Sequence, residues 1–180
     1  MASKNTAVFG IYKSVAQAEK AVGTLTTVGF ANNDISVLLT DAQSTHDFAH
    51  EKNTKAPEGS ATGAATGGVI GGAIGLLAGI GTLAIPGIGP LIAAGPLVAA
   101  LAGIGAGGAA GGVIGALVGL GIPEYEAKRY EGRVKDGGVL LSVHCNTSKE
   151  IERAKELLKT TGAEDVASTG EVSSPHAYAR

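Results

Sequence analysis

The chain has 180 residues and a formal net charge of −2, and its charges divide it into three parts. Residues 1–60 hold five Lys or Arg and six Asp or Glu, residues 122–180 hold nine and ten, and residues 61–121 hold none. Because neither charged arm has a basic excess, the composition excludes a nucleic-acid partner. The single cysteine, Cys145, rules out a disulfide within the chain and is weakly typical of a reducing compartment.

Residues 1–41 carry the pattern of one βαβ unit. A strand is predicted at 6–12, followed by a helix with Ser14 as its N-cap and Gly29 as its C-terminal stop. A second strand is predicted at 34–40. Because each boundary has its own local signal, we treat this range as the first half of a domain.

Residues 122–172 repeat this order after a connecting helix that starts at Pro123. Strands are predicted at 139–145 and 164–169, with a capped helix between them. The two arms match at a fixed offset of 133 residues, so that Ser14 pairs with Thr147 and Gly29 with Gly162. The matched caps and stops predict that the second arm has the fold of the first.

Two βαβ units of this size predict an α+β, ferredoxin-like sandwich, a sheet with two helices on one face. The apolar strands 6–12 and 139–145 would be central, and 34–40 and 164–169 would be the edges. The domain is split, because the uncharged block is inserted between its second and third strands.

The segment 42–60 is predicted to be a polar linker, and 173–180 a tail. His46 and His50 lie four residues apart in this linker, which is the spacing of metal ligands on one helix face. A solvated helical turn explains the same spacing, so these histidines are only a weak metal candidate.

The uncharged block, 61–121, contains two series of glycines at intervals of four residues. Such spacing puts a smooth groove on one helix face, where a partner helix approaches closely. Two transmembrane helices are predicted, at about 62–85 and 91–121, joined by a turn rich in proline and glycine. The predicted packing positions are Gly63, Gly67, Gly71, Gly75, Gly79, Gly103, Gly107, Gly111, Gly115 and Gly119.

Basic residues flank the block on both sides, whereas the central turn has no charge. The positive-inside rule therefore predicts a membrane protein with both termini in the cytoplasm, in contact with membrane lipid. A glycine-zipper hairpin buried inside a soluble oligomer, or inserted only under some conditions, remains an alternative, because the second series has few large apolar residues.

Catalytic constellations are absent from the sequence pattern, and we predict no enzyme activity and no cofactor. His144 and Cys145 are adjacent, but neighbours on a strand point to opposite faces and cannot act as a nucleophile and its base. The glycine runs lack the Lys-Ser/Thr of a phosphate-binding loop.

Four stretches resemble the bacterial general-stress or low-temperature-induced glycine-zipper proteins. They are AVFGIYKSVAQAEKAVGTL, HDFAHEKNTKAPEG, the block with AIPGIGPLIAAGPL, and GLGIPEYEAKRYEGRVKDGGVLLSVH. The resemblance implies a stress-associated protein of the bacterial inner membrane and no particular biochemical activity. The layout is also similar to that of the membrane-anchored subunit of the alternative complex III quinol oxidoreductase.

The resulting functional prediction is a structural or regulatory protein that forms a homo-oligomer through its glycine zipper and displays a ferredoxin-like domain. Two alternatives remain open. One is a small-ligand sensor coupled to the hairpin, which rests on fold analogy. The other is an accessory subunit of a membrane redox or transport complex, with an unknown protein partner.

Overall fold

The structure, a computed structural model, describes residues 6–40, 81–85, 89–95 and 112–170. These residues form six strands and four α-helices, with a short 3₁₀ turn at Asn32–Asp34. The chain is therefore of the α+β class, as predicted. In chain order the elements are β1 (Thr6–Tyr12), α1 (Val15–Thr27), β2 (Ile35–Thr40), β3 (Gly81–Ile85), β4 (Gly89–Ala94), α2 (Gly112–Gly119), α3 (Glu124–Lys135), β5 (Val139–Cys145), α4 (Ser148–Thr160) and β6 (Glu164–Gly170).

The six strands form one antiparallel sheet in the order β3–β4–β2–β5–β1–β6. The four strands from the charged arms follow the order β2–β5–β1–β6, which is that of a ferredoxin-like sandwich. β1 and β5 are central and pair over their whole length, from Thr6 with Cys145 to Tyr12 with Val139. This arrangement confirms the prediction that both arms contribute to one sheet.

The two helices within the βαβ units begin and end at the predicted signals. The Thr147 hydroxyl accepts a hydrogen bond from the Glu150 N–H at 3.2 Å, and the Glu150 carboxylate accepts one from the Thr147 N–H at 3.0 Å. This capping box starts α4, and Ser14 caps α1. Both helices end at a glycine with positive φ, 104° at Gly29 and 98° at Gly162, which glycine adopts at little cost.

One core lies between the sheet and the helices α1 and α4. It is built from every second residue of the central strands, such as Val8 in β1, Val37 in β2 and Leu141 in β5. Ala18 of α1 and Ala154 of α4, both fully buried, let these helices approach the sheet closely. This side of the molecule is the predicted two-helix face.

The opposite face of the sheet is also covered, which corrects the prediction of helices on one face only. α2 and α3 pack there against the alternate strand residues, among them Phe9, Leu38 and Leu140. Consecutive apolar residues in β2 and β5 require burial on both faces, because exposing either face to water would cost roughly 25 cal/mol per Å² of apolar surface.

The prediction that 34–40 forms a sheet edge was wrong, because β4 pairs with β2 on its outer side. Residues 81–85 and 89–94 are strands, whereas the sequence predicted them within or between the helices 62–85 and 91–121. The free edge of β2 explains this difference. The backbone N–H and C=O groups along this edge of β2 need hydrogen-bond partners. An apolar run between Gly and Pro provides these partners by forming a strand. Leu91, Ile92 and Ala93 of β4 are buried as a result.

None of the four helices in the described ranges has both the length and the apolar composition needed to cross a membrane. The one described helix from the uncharged block, α2, has eight residues. Apart from residues 81–85, 91–95 and 112–121, both predicted spans lie outside the described residues. The linker and the tail lie outside them as well.

Candidate functional site

The second face of the sheet joins the uncharged block to the charged arm. α2, from the block, buries Val113, Ala116 and Leu117 against the sheet, and α3 buries Ala127, Tyr130 and Val134 beside it. The turn between these helices passes through Gly121, which has φ +93°, and the buried Ile122. The apolar block therefore shares a core with the ferredoxin-like sheet.

Glu131 of α3 holds the start of α2. Its Oε2 accepts a hydrogen bond from the backbone N–H of Ile114 at 3.2 Å, and its Oε1 lies 2.6 Å from Lys135 Nζ. The Glu131 side chain is only 12% exposed. A carboxylate at this position satisfies one of the free N–H groups of the first helical turn and interacts favourably with the helix dipole.

The outer side of α2 is apolar and partly exposed. A Cβ added at Gly115 or Gly119 would meet no atom within 4 Å. Val118, between them, is 41% exposed, and Tyr125 at the start of α3 is 75% exposed. In the described part of the chain these are the two exposed large hydrophobic side chains. The remaining eight glycines of the predicted zipper lie outside the described residues.

Ion pairs connect α3 to the start of β6. Arg133 and Lys13 both contact the Glu164 carboxylate at 2.6 Å, and Arg129 pairs with Asp165. The hydrogen bond from Lys13 is the main reason that the pKa of Glu164 lies below its usual value, with Arg133 contributing. A cleft of about 300 Å³ opens beside these pairs. Lys13, Arg133 and Glu164, three of the four charged side chains that line it, already pair with one another, so we do not treat it as the binding site.

Tyr130 strengthens the same attachment from the buried side. Its hydroxyl donates a hydrogen bond to the Asp165 carbonyl oxygen at 2.7 Å, and burial raises its pKa to about 12. Asp165 has φ +52°, a left-handed conformation that is uncommon for residues other than glycine. The contacts from α3 hold the backbone in this conformation at the start of β6, an edge strand of the sheet.

A second cleft, of about 160 Å³, lies at the end of the sheet where β5 meets α4. Ile35 pairs with Val143, so Asp34 and His144 occupy the next opposed position beyond the ladder. Both residues line this cleft, together with Arg153 from the second turn of α4. No sequence motif marks this group of residues, which the register of β2 and β5 brings together.

The other predicted candidates are separated by the fold. Cys145 is fully buried in the α1–α4 core, and its thiol contacts the Val143 carbonyl oxygen at 3.6 Å. His144 lines the cleft, and its Nε2 lies 3.3 Å from Asn146 Oδ1. His46 and His50 lie outside the described residues. Among the residues that the structure describes, no group of three His, Cys, Asp or Glu side chains could hold a metal ion.

Comparison with known families gives one match. Residues 7–87 are similar to the family described as the heat induced stress protein YflT domain, a range that includes β1, α1, β2 and β3 and covers less than half of the chain. No curated protein and no solved structure matches significantly. The family match supports a relationship with bacterial stress-induced proteins and a stress-associated role, and it does not confirm the glycine-zipper membrane part of the resemblance.

Proposed function

We propose that the chain is a stress-associated structural or regulatory protein that self-associates through the outer face of α2 and displays its ferredoxin-like sheet beside the contact. The observation that carries this proposal is the apolar, open surface at Gly115, Val118 and Gly119. The family match supports the stress-associated part.

The physical argument starts from the composition of α2. A helix that is apolar on all sides is normally buried on all sides, yet among the described residues the sheet and α3 cover only one side of α2. Gly115 and Gly119 are four residues apart, so they share one face and allow another backbone to approach closely. A second copy of the same helix is the simplest partner, because two-fold contacts place one surface against itself.

Two predictions from the sequence stand beside this proposal. The inner-membrane location, with cytoplasmic termini, stays a prediction, and a carbonate-wash fractionation of cells would test it. The absence of enzyme activity also stays a prediction. Our proposal needs neither catalysis nor a cofactor, because shape complementarity between uncharged helices is sufficient for assembly.

The test measures the mass of the full chain by sedimentation velocity, in buffer and in mild detergent. Gly115→Leu fills the groove and Val118→Lys adds a charge, so we expect both variants to show a lower oligomer order. Gly132→Leu is the matched control. Gly132 lies on α3, and a Cβ added there also meets no atom within 4 Å. The change to Leu raises helix propensity by a similar amount at both positions.

Circular dichroism and thermal unfolding of each variant show whether the domain stays folded. An oligomer distribution that is unchanged in both Gly115→Leu and Val118→Lys would overturn the proposal. A decrease in Gly132→Leu as large as in Gly115→Leu would overturn it too, because the effect would then not belong to the α2 face.

A further inference from the structure

We propose that the cleft between the end of β5, the start of α4 and the connection from α1 to β2 binds a small zwitterion that carries an ammonium and a carboxylate group. Free amino acids and betaines belong to this class. The proposal concerns a different face from the α2 surface and does not depend on self-association.

Two opposite charges line this cleft without contacting each other. Asp34 precedes β2, and Arg153 lies in the second turn of α4. Neither side chain forms an ion pair with any residue in the described ranges. A ligand with both charges would bridge them, its ammonium donating to the Asp34 carboxylate and its carboxylate accepting from the Arg153 guanidinium.

The other charged group of the cleft is already engaged. Glu150 Oε2 accepts hydrogen bonds from the N–H groups of Asn146 at 2.7 Å and Thr147 at 3.0 Å. These bonds complete the capping box, so the start of α4 is satisfied by the protein itself. The proposed site therefore rests on the two facing charges and not on the dipole of a helix terminus.

The mixture of charges selects against simple ions. A free anion attracted by Arg153 would also face the carboxylates of Asp34 and Glu150, and a free cation would face Arg153. The described residues contain no metal-binding group. A molecule with no net charge and two separated charged ends meets both signs at once, which is the complementarity that gives specificity.

One wall of the cleft is apolar, whereas His144 and Asn146 line the wall on the β5 side. Val28 and Phe30 line the apolar wall on the α1 side, and Phe30 is partly buried against the core. This wall suits an aliphatic side chain or methylated ammonium carbons, because an apolar surface with a few charged groups is the usual composition of a small-molecule site. The volume of about 160 Å³ fits a molecule of amino-acid size.

Rigid elements position each of these groups. Gly29, with φ +104°, turns the chain from α1 towards Phe30, and the 3₁₀ turn that ends at Asp34 leads directly into β2. Arg153 lies on a helix with a complete cap. Because these elements share the core below the cleft, ligand binding needs little reorganisation of the backbone.

The test uses thermal unfolding of the full chain with L-leucine and glycine betaine as probes. Binding to the folded state raises the melting temperature in a way that saturates with concentration. N-acetyl-L-leucine lacks the ammonium and L-leucinamide lacks the carboxylate, so neither should give the shift. No saturable shift with either zwitterion, or equal shifts with both blocked analogues, would overturn the proposal.

Variants then locate the site. Asp34→Asn and Arg153→Gln should each weaken binding by about tenfold, since each removes one charge-assisted contact. Glu152→Gln and Lys155→Gln, on the same helix but outside the cleft lining, are controls that should keep the parent affinity. Unchanged affinity in both Asp34→Asn and Arg153→Gln would overturn the assignment. Gly115→Leu should bind the probe normally, so the two proposals can fail separately.

Discussion

The backbone N–H of Ile114 donates a hydrogen bond to Glu131 Oε2 at 3.2 Å, which joins the first turn of α2 to the middle of α3. The two residues are 17 positions apart in the chain. The sequence around this helix start, residues 106–115, contains no polar side chain, and the carboxylate comes from the charged arm. One mostly buried acid therefore connects the start of α2 to α3, in addition to the apolar contacts of Val113, Ala116 and Leu117 with the sheet.

Replacing this acid is the first prediction. We expect Glu131→Ala to lower the free energy of unfolding by about 1–2 kcal/mol, because it removes the acceptor for the Ile114 N–H. Glu131→Gln keeps an acceptor oxygen and should lose less. Hydrogen exchange at the α2 amides and denaturant unfolding measure the effects. Glu152→Ala on the exposed side of α4 is the control, expected within about 0.5 kcal/mol of the parent.

The second prediction concerns the close approach at the centre of the sheet. A Cβ at Gly10 of β1 would lie 2.9 Å from the Cβ of Ala163, so Gly10→Ala forces the two segments apart. We expect a loss of about 1–3 kcal/mol in denaturant unfolding, the usual cost of overpacking. The double variant Gly10→Ala with Ala163→Gly should recover part of this loss. Equal stability of Gly10→Ala and the parent would contradict the packing described.

Acid stability gives the third prediction. The pKa of Glu164 is lowered from 4.5 in the folded state, chiefly by Lys13, so its contribution is present above pH 4.5 and is lost as the pH falls through the folded pKa. We expect Glu164→Gln to narrow the difference in melting temperature between neutral pH and pH below 4.5. Added salt should weaken the effect, because the pairs are partly exposed. An acid-induced decrease in melting temperature that has the same size in Glu164→Gln and in the parent, and that does not depend on salt, would refute this assignment.

Alkaline stability gives the fourth prediction. Burial raises the pKa of Tyr12 from 10.0 to about 12, and its hydroxyl shares a 2.8 Å hydrogen bond with Thr161. The folded state favours the neutral phenol, so this stability is present below pH 10 and is lost as the pH rises towards 12. Tyr12→Phe should lose about 0.5–1.5 kcal/mol at neutral pH but be less sensitive to alkali. Absorbance of tyrosinate during titration locates the transition.

The sequence predicted those parts of the fold that have local signals. The helix ends are marked by Ser14, Thr147, Gly29 and Gly162 through backbone chemistry that needs no tertiary contact. The two βαβ units that these signals delimit then predict the order of the four arm strands in the sheet. The strands at 81–85 and 89–94 could not be identified in this way, because a short apolar run between turns looks the same in a buried helix and a buried strand.

The candidate sites were less accessible to prediction. The consecutive apolar residues Val37, Leu38 and Leu39 are a signal, in retrospect, that the second face of the sheet is covered. The contact of Glu131 with α2 has no such signal, because it depends on how two helices pack. The opposed positions of Asp34 and His144 beside the cleft follow only from the register of β2 and β5.

The position of β5 also determines when the domain can fold. β5 lies between β2 and β1, so the first arm cannot complete its sheet until residues after the uncharged block have been synthesised. Pairing across such a long sequence separation slows folding, because the loop must close before the contacts form. During this interval the edges of β1 and β2 that pair with β5 have no partner strand. Unpaired apolar strand edges favour aggregation, so the interval between synthesis of β2 and of β5 is the stage at which this topology is most exposed to it.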